Sequence, residues 1–571
     1  MQAFARRSVL AGVIAALSLL VWAEGGSPSA AVPVATKREA VSVRLPGAAF
    51  AAMETINPEH IRWHVRFLSH DLLEGRGTGQ HGGDLAAEYI ATQFAEYGLK
   101  PVGDNGSYLQ KVPLVGITTL PETKFSLVPK QGQSSAMNLK PLDEYVAYDQ
   151  TQQAQSDVDA EIVYVGYGID APEYNWDDYK GADVRGKVLL MLVNEPPSDD
   201  PKFFKGKALT YYGRWTYKYE EAARKGAVGV ILVHKEDMAS YPWEVVRNSN
   251  SGEKSYLKVE GPVLKVASWV QLDVARKLAA ASGMDLEMMM ADARSREFHP
   301  VNLGAKLKAH MVSNVRRFES NNVLAMLPGS DRNLEDEAVM YTAHYDHLGI
   351  RPDMPGDNIY NGAVDNATGC GILLELARAF SVAKDRPGRS IIFGAVTAEE
   401  QGLLGSEFLG RHPPIPAGKI ALDLNYDAVP PLGAPEETEV SGAERTTFYP
   451  WVQAMAKEFR LAIRPDAHPE AGYFYRSDHF SLARVGIPAF SINEGTKFKG
   501  HDEAWGLAQD KEYTEKHYHQ PSDEYHPEMD FVGDSAMARF GFALGWEAAS
   551  FTKVIGWQKG DEFEAARIKS Q

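Results

Sequence analysis

Glu399 and Glu400 stand side by side where the apolar run Ile391-Ile392-Phe393-Gly394-Ala395-Val396 gives out into a turn. Two further apolar runs end on residues of related chemistry: His344 follows the run 338–343, and Asp427 follows the run 420–424. Asp365 opens a glycine-flanked helix pattern, and His519 lies in a polar loop. Two histidines and four carboxylates are the donor set that two divalent cations and a general base require. In such a set one glutamate binds metal, and its neighbour stays free to take a proton from an activated water.

Each fragment alone has a plainer reading. A Glu-Glu dipeptide is ordinarily just exposed, and an aspartate before a helix is ordinarily an N-cap. Their shared placement separates them from that background. In open α/β sheets ligands bind outside the carboxyl ends of the strands, and three strand ends here each carry a metal-competent residue. Within His344-Tyr345-Asp346-His347, the period of two puts His344 and Asp346 on one side and His347 on the other. A ligating imidazole donates its second N–H to a carboxylate. The expectation is therefore His344 as ligand, Asp346 as its partner and His347 as a neighbour.

The elements that must position these groups can be read from the pattern. From residue 303 onward, strand-like runs at 322–327, 338–343, 391–396 and 420–424 alternate with helical patterns at 368–380 and 403–409. This predicts an α/β fold with a mixed, mostly parallel sheet flanked by helices. Residues 58–99 read as two helices around the glycine-rich loop 74–83. Gly77, Gly79 and Gly82 fit G-x-G-x-x-G, but a helix rather than a strand precedes them, which argues against a dinucleotide site. Between 140 and 300, short β-rich runs at 160–165, 187–193 and 229–234 with a helix at 218–225 suggest a small β-rich inserted module without catalytic spacing.

Length and composition bound the rest. A chain of 571 residues exceeds one hydrophobic core and suggests two or three domains. A net charge of −17 disfavours nucleic acid and anionic membranes as partners. The single cysteine, Cys370, excludes an intramolecular disulfide. Arg6-Arg7 precede an apolar stretch, 9–22, that is too short to span a bilayer. Small and polar residues follow it. This reads as a bacterial-type signal peptide cleaved after Ala23, giving a periplasmic or secreted protein with no stable membrane insertion after cleavage. There is no His-Glu-x-x-His and no Gly-x-Ser-x-Gly to anchor a single-zinc protease or a serine hydrolase.

Four segments carry a family resemblance: Thr342-Ala343-His344-Tyr345-Asp346-His347-Leu348-Gly349, Gly362-Ala363-Val364-Asp365-Asn366, Thr397-Ala398-Glu399-Glu400-Gln401-Gly402-Leu403-Leu404-Gly405-Ser406, and Tyr518-His519-Gln520-Pro521-Ser522-Asp523. They are similar to those of the co-catalytic zinc exopeptidases, a family that includes secreted bacterial leucyl aminopeptidases, glutamate carboxypeptidases and the transferrin-receptor ectodomain. The resemblance implies two zinc ions per chain. His344 and Asp427 would hold one, Glu400 and His519 the other, and Asp365 would bridge them. Glu399 would be the general base and Asp346 would orient His344. The implied substrate is a peptide and the implied activity an aminopeptidase. A glutamate-carboxypeptidase-like carboxypeptidase or dipeptidase is the alternative, and a transferrin-receptor-like binding ectodomain is the non-enzyme alternative. The resemblance also implies a protease-associated domain at 140–302. It would sit between an N-terminal part, 57–139, and the catalytic domain, 303–551, with a linker or propeptide-like segment at 24–56 and a tail at 552–571. Family aminopeptidases place a tyrosine near Ser477-Asp478-His479 to assist the oxyanion, and Tyr473 and Tyr475 both stand near it. His517 competes with His519, which is preferred because it directly precedes Gln-Pro-Ser-Asp.

Overall fold

The computed structural model describes residues 43–571, except 130–134, 240, 353–354 and 467–468. The expected signal peptide and most of the following linker lie outside the described residues. Eleven strands suffice to place the site. They are β1 (Leu109–Thr119), β2 (Tyr145–Tyr148), β3 (Gln155–Tyr164), β4 (Val188–Leu192), β5 (Gly229–His234), β6 (Val266–Gln271), β7 (Val301–Leu327), β8 (Ala338–His344), β9 (Ser390–Val396), β10 (Ile420–Asn425) and β11 (Ala489–Ser491). The helices that matter are α1 (Pro58–Leu68), α2 (His81–Glu96), α3 (Trp215–Arg224), α4 (Leu272–Ala281), α5 (Gly369–Ser381), α6 (Leu404–Arg411), α7 (His479–Arg484), α8 (Glu503–Lys516) and α9 (Val532–Ser550). Among the described residues no helix is long and apolar enough to cross a membrane.

The sheet runs β11-β10-β8-β9-β7-β3-β4-β5-β6-β2. Strands β8, β9, β10 and β11 are mutually parallel, and β7 is antiparallel to β9, so the expected mixed, mostly parallel sheet is present. All residues of β8 and β9 are buried, as expected of strands covered on both faces. On one face Val339, Tyr341 and Ala343 pack with α1, α5 and α9; on the other Ala338 and Met340 pack with Leu409 of α6 and Leu482 of α7. That division is the two-residue side-chain period of an extended strand.

A single strand of 27 residues, β7, joins this sheet to the inserted module. Its first part, 301–312, pairs with β3; residues 313–323 pair with β1; residues 323–327 pair with β9. The 302/303 division expected from sequence therefore falls inside one continuous strand. Leu303, Ala305, Leu307, Ala309 and Met311 alternate with solvent-facing residues and pack in the module's own core. The module itself is a parallel β3-β4-β5-β6 sheet with β2 antiparallel at its edge, covered by α3 and α4. The C-terminal stretch 552–571 is tied down. Arg445 donates to Asp561 at 2.8 Å and to Glu562 at 2.6 Å, and Phe563 is buried.

Candidate active site

The carboxyl ends of β8, β9 and β10 lie side by side, so His344, the Glu399-Glu400 pair and Asp427 converge although they are far apart in sequence. Asp365 arrives from the turn 363–368 that leads into α5. His519 arrives from the loop after α8, with φ +57°. Asp523 ties these last two segments together, because its carboxylate accepts the backbone N–H of Val364 at 2.9 Å and of Asp365 at 3.0 Å. Asn366 brackets Asp427 by donating to Tyr426 O at 3.0 Å and accepting from Ala428 N at 3.1 Å. Asn493 adds a third hold, donating to Asp427 O at 3.0 Å.

Two donor groups result, and they share Asp365. In the first, His344 Nε2 lies 3.1 Å from Asp427 Oδ1 and 3.3 Å from Asp365 Oδ1. The second is His347, Asp365 and Glu400, with His347 Nδ1 2.5 Å from Glu400 Oε1, and His519 stands beside it with Nε2 3.2 Å from Asp365 Oδ2 and 3.1 Å from Glu400 Oε2. The structure thus brings together all five residues expected as ligands, and adds His347. The strand-period argument placed His347 on the opposite side and is corrected here. Strand β8 stops at His344, and the chain then bends so that His347 N donates to Arg76 O at 3.2 Å. Beyond the last strand residue a period of two no longer fixes direction. His517 stands apart, its Nδ1 3.1 Å from Ser522 O.

Asp346 has a different contact pattern from the one expected. His344 Nδ1 faces the main-chain oxygen of Asp346 at 3.2 Å, whereas the nearer carboxylate oxygen is 3.9 Å away. The carboxylate instead accepts Thr78 Oγ1 at 2.8 Å and Glu399 N at 3.1 Å. Burial pushes the Asp346 carboxyl up to about 6 even with His344 and these donors opposing it. Below it, the fully buried Arg76 donates to the carbonyls of Tyr345, Leu68, Asn361 and Gly362 at 2.6–2.9 Å. One guanidinium therefore fixes the backbone on both sides of the site, which explains why a lone cation tolerates that depth.

The two glutamates are driven apart electrostatically. Burial raises Glu399 well above the usual carboxylate range; His344 opposes the shift, and Asp427 and Glu400 add to it. Glu400 is also buried and faces Asp365, yet its contacts with His347 and His519 hold it at about 2. Adjacent carboxyls with opposite shifts are suited to different roles, one carrying a proton and one staying ionised. Burial opposes a charge on His344, but Asp427 and Glu399 outweigh it and raise the imidazole.

The donor set suits zinc. It is nitrogen and oxygen only, it is largely buried, and carboxylates crowd around one shared aspartate, a repulsion that cations relieve. Among the described residues no third donor group of this kind occurs, in the inserted module or elsewhere.

A cleft of about 860 Å³ opens beside the site, lined by Asp365, Glu399 and Asp427 and walled by Tyr473, Arg476 and Glu494 among others. Tyr475 turns away and donates to Glu562 at 2.7 Å, whereas Tyr473 is half exposed on the cleft wall. Sequence reasoning assigned no role to Asp478 or His479. Asp478 is buried near His344 and Asp427, and burial raises it to about 7. His479 is buried against Phe474, which lowers it to about 3. The Ser477-Asp478-His479 motif was the available signal for both. Cys370 donates to His344 O at 3.1 Å and is inert by burial.

Residues 322–538 match the model of Peptidase family M28. A "Probable zinc metalloprotease" of Pyrenophora tritici-repentis is 43% identical over 98 residues, 16% of this chain and 18% of that protein. Leupeptin-inactivating enzyme 1 of Streptomyces exfoliatus is 27% identical over 252 residues, 43% of this chain and 51% of that protein. The chain thus spans between about a fifth and a half of the length of these relatives. Among solved structures, an aminopeptidase from Aneurinibacillus sp. aligns over 88% of this chain and 96% of its own at 19% identity and a TM-score of 0.47.

Proposed function

Because residues 322–538 of this chain belong to peptidase family M28, we propose that the protein is a metallo-exopeptidase that removes residues from peptide N-termini. The observation that carries this reading is the pair of donor groups sharing Asp365, with Glu399 beside them at the mouth of the cleft. His344 and Asp427 would hold one zinc ion, Glu400 and His519 the other, and Asp365 both. His347, at 2.5 Å from Glu400, fixes that carboxylate. Zinc bound there supplies Lewis acidity, which polarises a peptide carbonyl and acidifies water.

The remaining chemistry belongs to the chain. Glu399, its affinity for protons raised by burial, takes the proton of the attacking water and returns it to the departing amine. Asp346 and Thr78 hold the Glu399 backbone while that proton moves. Tyr473, exposed on the cleft wall, presents a hydroxyl toward the reacting carbonyl oxygen.

The acidic lining supports the aminopeptidase direction. Asp466, Asp510 and Glu512 line the cleft and favour a free N-terminal ammonium. Arg464 and Arg476 line the same cleft and support the second reading, a carboxypeptidase that grips a terminal carboxylate. Comparing release from aminoacyl anilides with release from N-acyl dipeptides separates the two; activity confined to the blocked substrates overturns the first.

The module built on β2–β6 is assigned as a protease-associated domain, and the protein as exported through the leader at 1–23. N-terminal sequencing of protein recovered outside the bacterial cytoplasm tests the export assignment.

A further inference from the structure

The C-terminal stretch reaches back toward the cleft through one carboxylate. Glu562, its side chain 8% exposed, accepts at Oε1 from Arg445 Nη2 at 2.6 Å and from the Tyr475 hydroxyl at 2.7 Å. Lys205 Nζ, from the inserted module, lies 3.7 Å from the same oxygen, and Tyr211 N donates to Oε2 at 3.4 Å. The tail, the module's 205–211 loop, the turn at Arg445 and the turn at Tyr475 thus meet on one side chain. Hydrogen bonds to an ionised acceptor are the strong ones, and a carboxylate this buried needs the two cations that face it.

The turn held in this way is the one that carries Tyr473. Residues Tyr473–Arg476 form a single 3-10 turn, in which side chains three apart eclipse and side chains two apart diverge. Tyr473 and Arg476 therefore share the cleft side, with the guanidinium 5.2 Å from the Tyr473 ring centre, while Tyr475 points inward to Glu562. Gly472 enters the turn at φ +62°, a conformation that glycine adopts freely. A Cβ there would stand 2.9 Å from Leu209 Cδ2, so the module packs closely against the entry to the turn. Leu209 N also donates to Pro469 O at 3.0 Å.

We propose, resting on the peptidase reading above, that Glu562 is a positioning residue for the reaction: it fixes the turn from which Tyr473 faces the cleft and ties that turn to the inserted module. The metal donors take no part, because neither Glu562 nor any residue bonded to its carboxylate belongs to either donor group. Without the carboxylate, Tyr475 loses its inward anchor, whereas Arg445 still donates to Asp561 at 2.8 Å. The tail therefore stays attached, and the turn is what is released.

The experiment uses the zinc-loaded full chain and the variants Glu562→Gln, Tyr475→Phe and Tyr473→Phe. Hydrogen exchange is followed at the amides of 472–478. In parallel, kcat is measured in double-mutant cycles on whichever substrate, aminoacyl anilide or N-acyl dipeptide, the wild type hydrolyses. Glu562→Gln and Tyr475→Phe should each speed exchange at 472–478 about tenfold or more, with exchange at 363–367 and zinc content unchanged. Each should also lower kcat about tenfold alone, and have little further effect beside Tyr473→Phe, because both act through that hydroxyl. Should Glu562→Gln fail to fold, Tyr475→Phe decides, since it removes one hydroxyl and keeps the ring. Unchanged exchange at 472–478 in the folded variants overturns the proposal, as do losses of kcat that multiply in full with that of Tyr473→Phe. Failure of the wild type to hydrolyse either substrate refutes the peptidase reading instead, and exchange alone then decides whether Glu562 holds the turn.

Discussion

The Asp346 carboxylate accepts the backbone N–H of Glu399 at 3.1 Å, so the end of β8 directly holds the start of the catalytic turn after β9. Its main-chain oxygen, not its carboxylate, is what faces His344 Nδ1 at hydrogen-bond distance. In the proposed mechanism Asp346 therefore couples the ligand end of one strand to the proton carrier that follows the next. Replacing it with asparagine turns an acceptor into a group that can present N–H toward N–H. Asp346→Asn should lower kcat about 10–100-fold, with metal content near that of the wild type. Wild-type kcat in this variant, measured alongside metal analysis, would remove Asp346 from the positioning role.

Glu399→Gln tests the proton carrier itself. The amide keeps the shape but cannot accept the proton, so turnover should fall by about 10²–10⁴-fold. Metal stoichiometry should stay unchanged, because Glu399 belongs to neither donor group. Substantial residual activity in the metal-replete variant would show that another group moves the proton.

His347 reaches Glu400 at 2.5 Å and lies with Asp365 and Glu400 in the second donor group. His347→Ala should weaken metal binding at that group by about 10–100-fold, while the group built on His344 and Asp427 is spared. Chelator competition followed by metal counting reads the difference. Equal retention of both ions would mean that His347 only fills space.

Stripping the metal should destabilise the fold as well as stop turnover. Asp365, Asp427, Glu399 and Glu400 then lose the charge that compensates them, and binding free energy to the folded state is lost with the ion. Unfolding of chelated and zinc-restored protein should differ in denaturant midpoint, with zinc restoring both midpoint and activity. A midpoint indifferent to zinc would contradict the burial argument.

His64 supplies a pH dependence far from the metal groups. Burial lowers it from 6.5 to about 4, against the pull of Glu375, and its Nδ1 lies 2.9 Å from Tyr89 OH. Between those values the unfolded chain takes up a proton that the folded chain refuses. Stability should therefore decline as pH falls from about 6.5 to about 4, by about 3 kcal/mol in all. In His64→Gln this component is absent, so its stability deficit relative to wild type should shrink over the same range. A deficit that stays constant with pH in urea unfolding would refute the assignment.

Local pattern made the parallel core readable. Strands β8, β9 and β10 read as largely apolar runs because both of their faces are covered, and their ends exposed His344, Glu399, Glu400 and Asp427 as a set. The same local reasoning failed three residues past a strand end, at His347, whose N–H is taken up by Arg76 O. It also divided the chain at 302/303, because nothing local marks a strand such as β7 that serves two sheets in succession.

The sequence by itself determined the residue types for the site and the strand ends that carry them, since period and apolar runs are properties of neighbouring residues. Tertiary structure alone decided that Asp523 clamps the Asp365 turn, that His347 comes against Glu400, and that burial and nearby charges shift Glu399 and Glu400 in opposite directions. Those outcomes depend on burial and on charges brought within a few ångströms by chain folding, and separation along the sequence carries no measure of that distance.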